Sequence, residues 1–106
     1  MDITTAYADG AATLALSGDF DVRSTWLVRE AIYEHLQDHD EDVVVDMTGV
    51  DAIDLTALRL LAVATRSASR TGHHLTLRGC GPAVRRMLHL TRLAHAVDVE
   101  RSAATA

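Results

Sequence analysis

The chain has 106 residues, close to the commonest size of one domain, and its 48% hydrophobic and 24% charged content suits a globular protein with a packed core. It has no apolar run near the roughly 20 residues of a membrane-spanning helix, no signal-peptide pattern at the N-terminus and only one cysteine, so the expectation is a cytoplasmic protein with no direct membrane insertion and no internal disulfide. The net charge of −5 is divided unevenly: residues 1–54 carry 13 acids and two arginines, net −11, and residues 55–106 carry two acids and eight arginines, net +6.

From the N-terminus, Ile3 to Ala8 and Ala12 to Ser17 read as two short strands joined around Asp9-Gly10, a strong hairpin dipeptide. Leu14 and Leu16 alternate with Thr13 and Ala15, which places the leucines on a core face. At Gly18-Asp19-Phe20-Asp21 a glycine turns the chain, a phenylalanine plugs the core and an aspartate favours a helix start. A helix is expected from Val22 to about His39, with Val28, Ile32 and Leu36 repeating on its inner face. Trp26, the only tryptophan, is expected to pack at an edge, the alternative being an exposed partner anchor. The acidic run from Asp38 to Asp42 ends it as a solvated loop.

The stretch from Asp42 to Leu61 organises the rest. Val43, Val44 and Val45 form a β-branched run that reads as a strand buried on both faces, over 43–47. Thr48-Gly49 supplies turn chemistry, and Val50 and Ile53 re-enter the core. From Thr56 to about Ser69 the pattern is helical, with Leu58, Leu61, Ala62 and Thr65 on one face. Thr56 stands where the first helical N–H groups lack intrahelical partners; its hydroxyl could cap the helix, and a phosphate there would be held by those N–H groups and the helix dipole. Arg59, Arg66 and Arg70 form one stripe, and Arg59, one turn beyond Thr56, could reach such a phosphate.

Asp46-Met47-Thr48-Gly49-Val50, followed by Ile53-Asp54-Leu55-Thr56-Ala57-Leu58, resembles the central signature of the STAS domain family, which includes bacterial anti-sigma factor antagonists. The resemblance extends to about Val99. It implies an α/β fold, a single STAS-like domain over 1–106 in which about 100–106 is a short tail. Its mixed sheet would have about four to five strands, an N-terminal hairpin and helices packed against it. It also implies that Thr56 is the residue a partner kinase phosphorylates. Leu55 departs from the family pattern, which has a hydroxyl residue there, and leaves one acceptor instead of two. Gly18 to Asp21 is similar to the family's Gly-Glu-Leu-Asp corner near that hydroxyl. The expected partner-binding residues are therefore Asp21, Asp54, Leu55, Thr56 and Arg59. The implied partners are an anti-sigma factor with a serine/threonine kinase fold, bringing its own ATP and magnesium, and a phosphatase that restores binding. Two other roles use the same fold: a STAS subunit of a phospholipid-transport complex, or a scaffold piece of a stress-signalling assembly.

Beyond Gly72, Leu75 and Leu77 mark a strand, Pro82 starts a third helix with Val84, Met87 and Leu88 inward, and Leu93, Val97 and Val99 suggest a last strand. His35 and His39 are spaced for a metal but lack a third ligand, His73-His74 read as turn residues, and Cys80 reads as a small packed residue. Asp46, Asp51 and Asp54 gather around Thr56 without completing a nucleophile–base–orienter set, and no glycine-rich phosphate loop occurs. No catalysis, cofactor or metal is expected of this chain. The opposite charges of its two halves suit charge-steered protein docking or two solvated faces, and duplex nucleic acid is a poor fit.

Overall fold

The computed structural model describes residues 1–8 and 10–100. Strands β1 (Asp2–Ala8) and β2 (Ala11–Phe20) open the chain as an antiparallel pair. Ala8 faces Ala11 across the turn, and Gly10 takes φ +78°, a left-handed conformation that costs glycine nothing. Asp9, the other half of the expected turn dipeptide, lies outside the described residues. β3 (Asp42–Ile53), β4 (Leu75–Arg78) and β5 (Asp98–Val99) then add in parallel, giving one sheet of five strands in the order β1-β2-β3-β4-β5. Helices α1 (Thr25–Tyr33), α2 (Leu55–Arg70) and α3 (Pro82–Thr91) lie in the three parallel crossovers, as such connections require.

The helices share one core with one face of the sheet. Leu14, Leu16 and Phe20 of β2 and Val43, Val45 and Met47 of β3 are buried against Val28 and Ile32 of α1, Leu58 and Leu61 of α2 and Val84 and Leu88 of α3. Thr13, Ala15 and Val44, which point the other way, are only half-buried. The valine run is thus fully covered on one face and not on both, because a β-branched run fits either arrangement.

Four other local expectations change. β3 runs straight through Thr48 and Gly49 to Ile53. Gly49 lies opposite Ser17 where the register shifts, and a Cβ on it would come within 2.8 Å of the Leu16 carbonyl oxygen. The glycine serves a close approach of two strands at an irregular pairing, not a turn. The first helix starts at Thr25, three residues later than expected. There the Ser24 N–H donates to the Asp21 carbonyl (2.9 Å) and the Asp21 N–H donates to the buried Ser24 hydroxyl (3.2 Å), closing a turn ahead of it. The helix continues from Glu34 to Asp38 as a π-helical turn. Leu93 belongs to a 3-10 turn, Leu93–Ala96, and the last strand is only Asp98–Val99. Of the expected tail, residues 101–106 lie outside the described residues.

The acidic run is largely solvent-exposed, as expected, and is in addition anchored to the rest of the fold. At the end of the sheet where β3 and β4 begin, His73 Nε2 lies 2.6 Å from an Asp40 oxygen and His73 Nδ1 3.2 Å from an Asp42 oxygen. A neutral imidazole carries one N–H, so carboxylates on both nitrogens mark the imidazolium. The bond to Asp40, chiefly, and that to Asp42 hold the His73 pKa above its ordinary value against an opposing desolvation. Beside this pair, buried His35 turns Nδ1 to Glu41 at 3.1 Å. His35 and His39 lie with ring centroids 5.4 Å apart, but His35 is committed to that carboxylate.

Candidate functional site

Asp54 makes the junction at which β3 gives way to α2. It is the helix N-cap: one carboxylate oxygen accepts the Ala57 N–H at 2.8 Å. The other accepts the Val22 N–H at 2.9 Å, and the Asp54 N–H donates to the Phe20 carbonyl at 3.2 Å. One side chain therefore ties the start of α2 to the corner between β2 and α1. The capping role that the sequence offered to Thr56 belongs to Asp54, since a carboxylate at the N-cap position is well placed for the N3 amide. Thr56 is left as the second residue of the helix, exposed, with its hydroxyl at the positive end of the helix dipole.

Asp21 is brought to this corner, yet its charge is matched. Its carboxylate makes a two-point contact with Arg23, at 2.7 and 3.2 Å, and accepts the Arg23 N–H at 3.0 Å. The side-chain bonds from Arg23 hold the Asp21 carboxyl below its ordinary range. Asp46 does not join the group around Thr56. It accepts the Thr48 N–H (2.9 Å) and hydroxyl (2.6 Å), and it lies on the half-buried face of β3, away from α2.

Thr56 and Arg59 line a groove of about 370 Å³ between α1 and α2, with Thr25, Trp26 and Arg29 on one side and Leu60 and Val63 beside them on the other. Trp26 is 62% exposed and Val63 58% exposed. The expectation of a packed tryptophan fails for a geometric reason: Val28 faces the core, and a residue two positions away lies about 200° round the helix. Leu55 and Val22 are exposed on either side of Asp54, at the same end of the molecule. Sequence reasoning singled out Asp21, Asp54, Leu55, Thr56 and Arg59, and these do come to one end of the fold. It did not single out Arg29, which lines the groove one turn after Trp26 and carried no signal in the sequence, since the exposure of Trp26 is seen only in the fold.

Away from this end, Cys80 is buried and burial pushes its thiol pKa up, away from the reactive thiolate. Its carbonyl accepts a hydrogen bond from Arg85 Nε at 2.9 Å, just ahead of α3.

Over residues 3–99 the chain matches the family described as "Mlab, STAS domain". It belongs to the STAS domain family. RsfB of Mycobacterium tuberculosis, an anti-sigma-F factor antagonist, is 26% identical over 93 residues, covering 88% of this STAS domain and 75% of RsfB. An anti-sigma factor antagonist from Mycobacterium paratuberculosis shares the fold with a TM-score of 0.81, at 21% identity, over 98% of this chain and 88% of that one. The Bacillus cell fate determinant SpoIIAA in its phosphorylated form does so with a TM-score of 0.72, at 11% identity, over 98% and 96%. Among the described residues no helix is long and apolar enough to cross a membrane.

Proposed function

We propose that this STAS domain is an anti-sigma factor antagonist switched by phosphorylation at Thr56. The observation that carries the reading is the position of Thr56, an exposed hydroxyl at the start of α2, spared from capping by Asp54 and beside an open apolar groove. In support, RsfB is an anti-sigma-F factor antagonist and SpoIIAA has been solved in a phosphorylated form. The unmodified domain binds an anti-sigma factor with a serine/threonine kinase fold and releases a sigma factor. The kinase transfers phosphate to Thr56, and a phosphatase removes it. The domain contributes a surface and an acceptor, and the partner brings nucleotide and magnesium.

The switch is electrostatic. A phosphothreonine adds about −1.5 to −2 charges at neutral pH. The free N–H groups at the head of α2 and Arg59 favour that charge, so the fold survives modification. A partner that docks over Thr56 must instead desolvate it, at a cost of several kcal/mol, which lowers affinity by orders of magnitude. Asp21, Asp54, Leu55, Thr56 and Arg59 form the docking surface in this reading, with Asp54 holding its two halves together. Mass spectrometry after incubation with the cognate kinase tests it. Phosphate on Thr56, constitutive binding by Thr56→Ala and failed binding by a folded Thr56→Glu are expected; phosphate on Ser24 or Thr48, with Thr56 untouched, refutes it.

A further inference from the structure

Of the six large apolar side chains left exposed among the described residues, Trp26 and Val63 line the groove between α1 and α2, and Val22 and Leu55 lie at the nearby corner around Asp54. Scattered exposed hydrophobes are ordinary in a folded protein, whereas a tryptophan and a valine facing each other across one groove offer an apolar docking surface. The groove is also charged in one sense. Arg29 stands on its α1 side, 5.3 Å from the Tyr33 ring centroid, and Arg59 on its α2 side. Arg66, exposed, extends the basic edge along α2. At the corner Asp21 is engaged by Arg23 and Asp54 by two backbone N–H groups, while Glu30, next to Arg29, is exposed and faces a separate groove on α1.

We infer that the groove between α1 and α2 takes an amphipathic acidic helix of the partner. Its apolar face would lie on Trp26, Leu60 and Val63, and its carboxylates would meet Arg29 and Arg59. The occupant follows from complementarity, since apolar walls call for apolar side chains and arginines on both lips call for carboxylates, and aromatic and arginine residues are the usual anchors of such contacts. The inference rests on the antagonist reading for the partner's identity and adds its chemistry. It also explains why charge at Thr56 is decisive. A phosphate at the mouth of the groove draws on Arg59 and confronts the carboxylates of the incoming helix.

Trp26, the chain's single tryptophan, makes the groove its own reporter. The probe is a synthetic helical peptide of about 14 residues, roughly four turns, with leucines on one face and glutamates on the other. Its control carries lysines in place of the glutamates. The glutamate peptide is expected to give a saturable blue shift of Trp26 emission and to bind at least about tenfold more tightly than the lysine peptide. Arg29→Glu with Arg59→Glu should reverse that preference, and Val63→Glu should abolish binding of the glutamate peptide, each with an unchanged circular dichroism spectrum. No saturable shift up to about 1 mM peptide, equal binding of the two peptides, or an unchanged preference in the double variant overturns the inference. Neither kinase nor phosphate enters the measurement, so the groove can fail while Thr56 is modified as proposed, and it can stand if Thr56 is not.

Discussion

The two ends of the sheet treat their charged and apolar groups in opposite ways. Where β3 and β4 begin, the charges close on one another: His73 is held between Asp40 and Asp42, and His35 turns to Glu41. Where β3 ends and α2 begins, Val22 and Leu55 are exposed, and beside them Trp26, Val63, Arg29 and Arg59 line an open groove. The first end has committed its polar groups to holding the chain in place. The second keeps apolar surface and positive charge available, and that contrast is what favours it as the proposed docking end.

The largest expected effect breaks the second end without disturbing the first. Trp26→Ala should weaken binding to the anti-sigma factor by about 2 kcal/mol or more, roughly 30-fold, as removal of a central aromatic anchor does. Its unfolding free energy in urea should change by no more than about 0.5 kcal/mol, because an exposed side chain contributes little to folding. Equal losses in both would mean that Trp26 belongs to the core.

Asp54→Ala comes next. It removes the cap of α2 and leaves the Val22 N–H without its acceptor, so about 2 kcal/mol of stability should be lost. Asp54→Asn retains an acceptor and should recover part of this. A stability change below about 0.5 kcal/mol in the alanine variant would show that the corner holds together without the bracket.

The smallest effect concerns the closed end. The His73 pKa is raised in the folded state, chiefly by Asp40, so its contribution is fully present below the unfolded value of about 6.5. It is lost as pH rises through the higher folded value. Urea midpoints should therefore fall modestly as pH is raised from about 6.5 through that value. His73→Gln should flatten this slope while leaving partner binding unchanged. A slope that persists in His73→Gln would place the titration in another group.

How much of this was legible in the sequence differs between the levels. The strands, the hairpin and the helices were legible from local signals such as Val43-Val44-Val45, Gly10 and Pro82, because each reports a preference of its own segment. The role of Gly49 did not, since it depends on the Leu16 carbonyl, a residue far away in the chain. The same holds for Asp54: the sequence offered the cap of α2 to Thr56, and the bond from Asp54 to Val22 is a tertiary fact. The acidic run from Asp38 to Asp42 looked like a solvated loop because its histidine partner arrives 31 and 33 residues later. Thr56 was singled out by the family resemblance and its place at the helix start, and Arg59 by lying one turn beyond it, while Arg29 joined them only once α1 was laid beside α2.

Mapping the partner's footprint tests the contrast between the two ends most directly. Amide chemical shifts of the labelled STAS domain should be recorded while the cognate anti-sigma factor is added, first to the unmodified domain and then to the domain phosphorylated on Thr56. The account predicts that Trp26, Thr56, Arg59 and Val63 shift on binding, that Asp40 and His73 stay silent, and that the phosphorylated domain shows no binding shifts at the same partner concentration. Shifts centred on Asp40 and His73 or on the half-buried face of the sheet, or an undiminished footprint after phosphorylation, would contradict it.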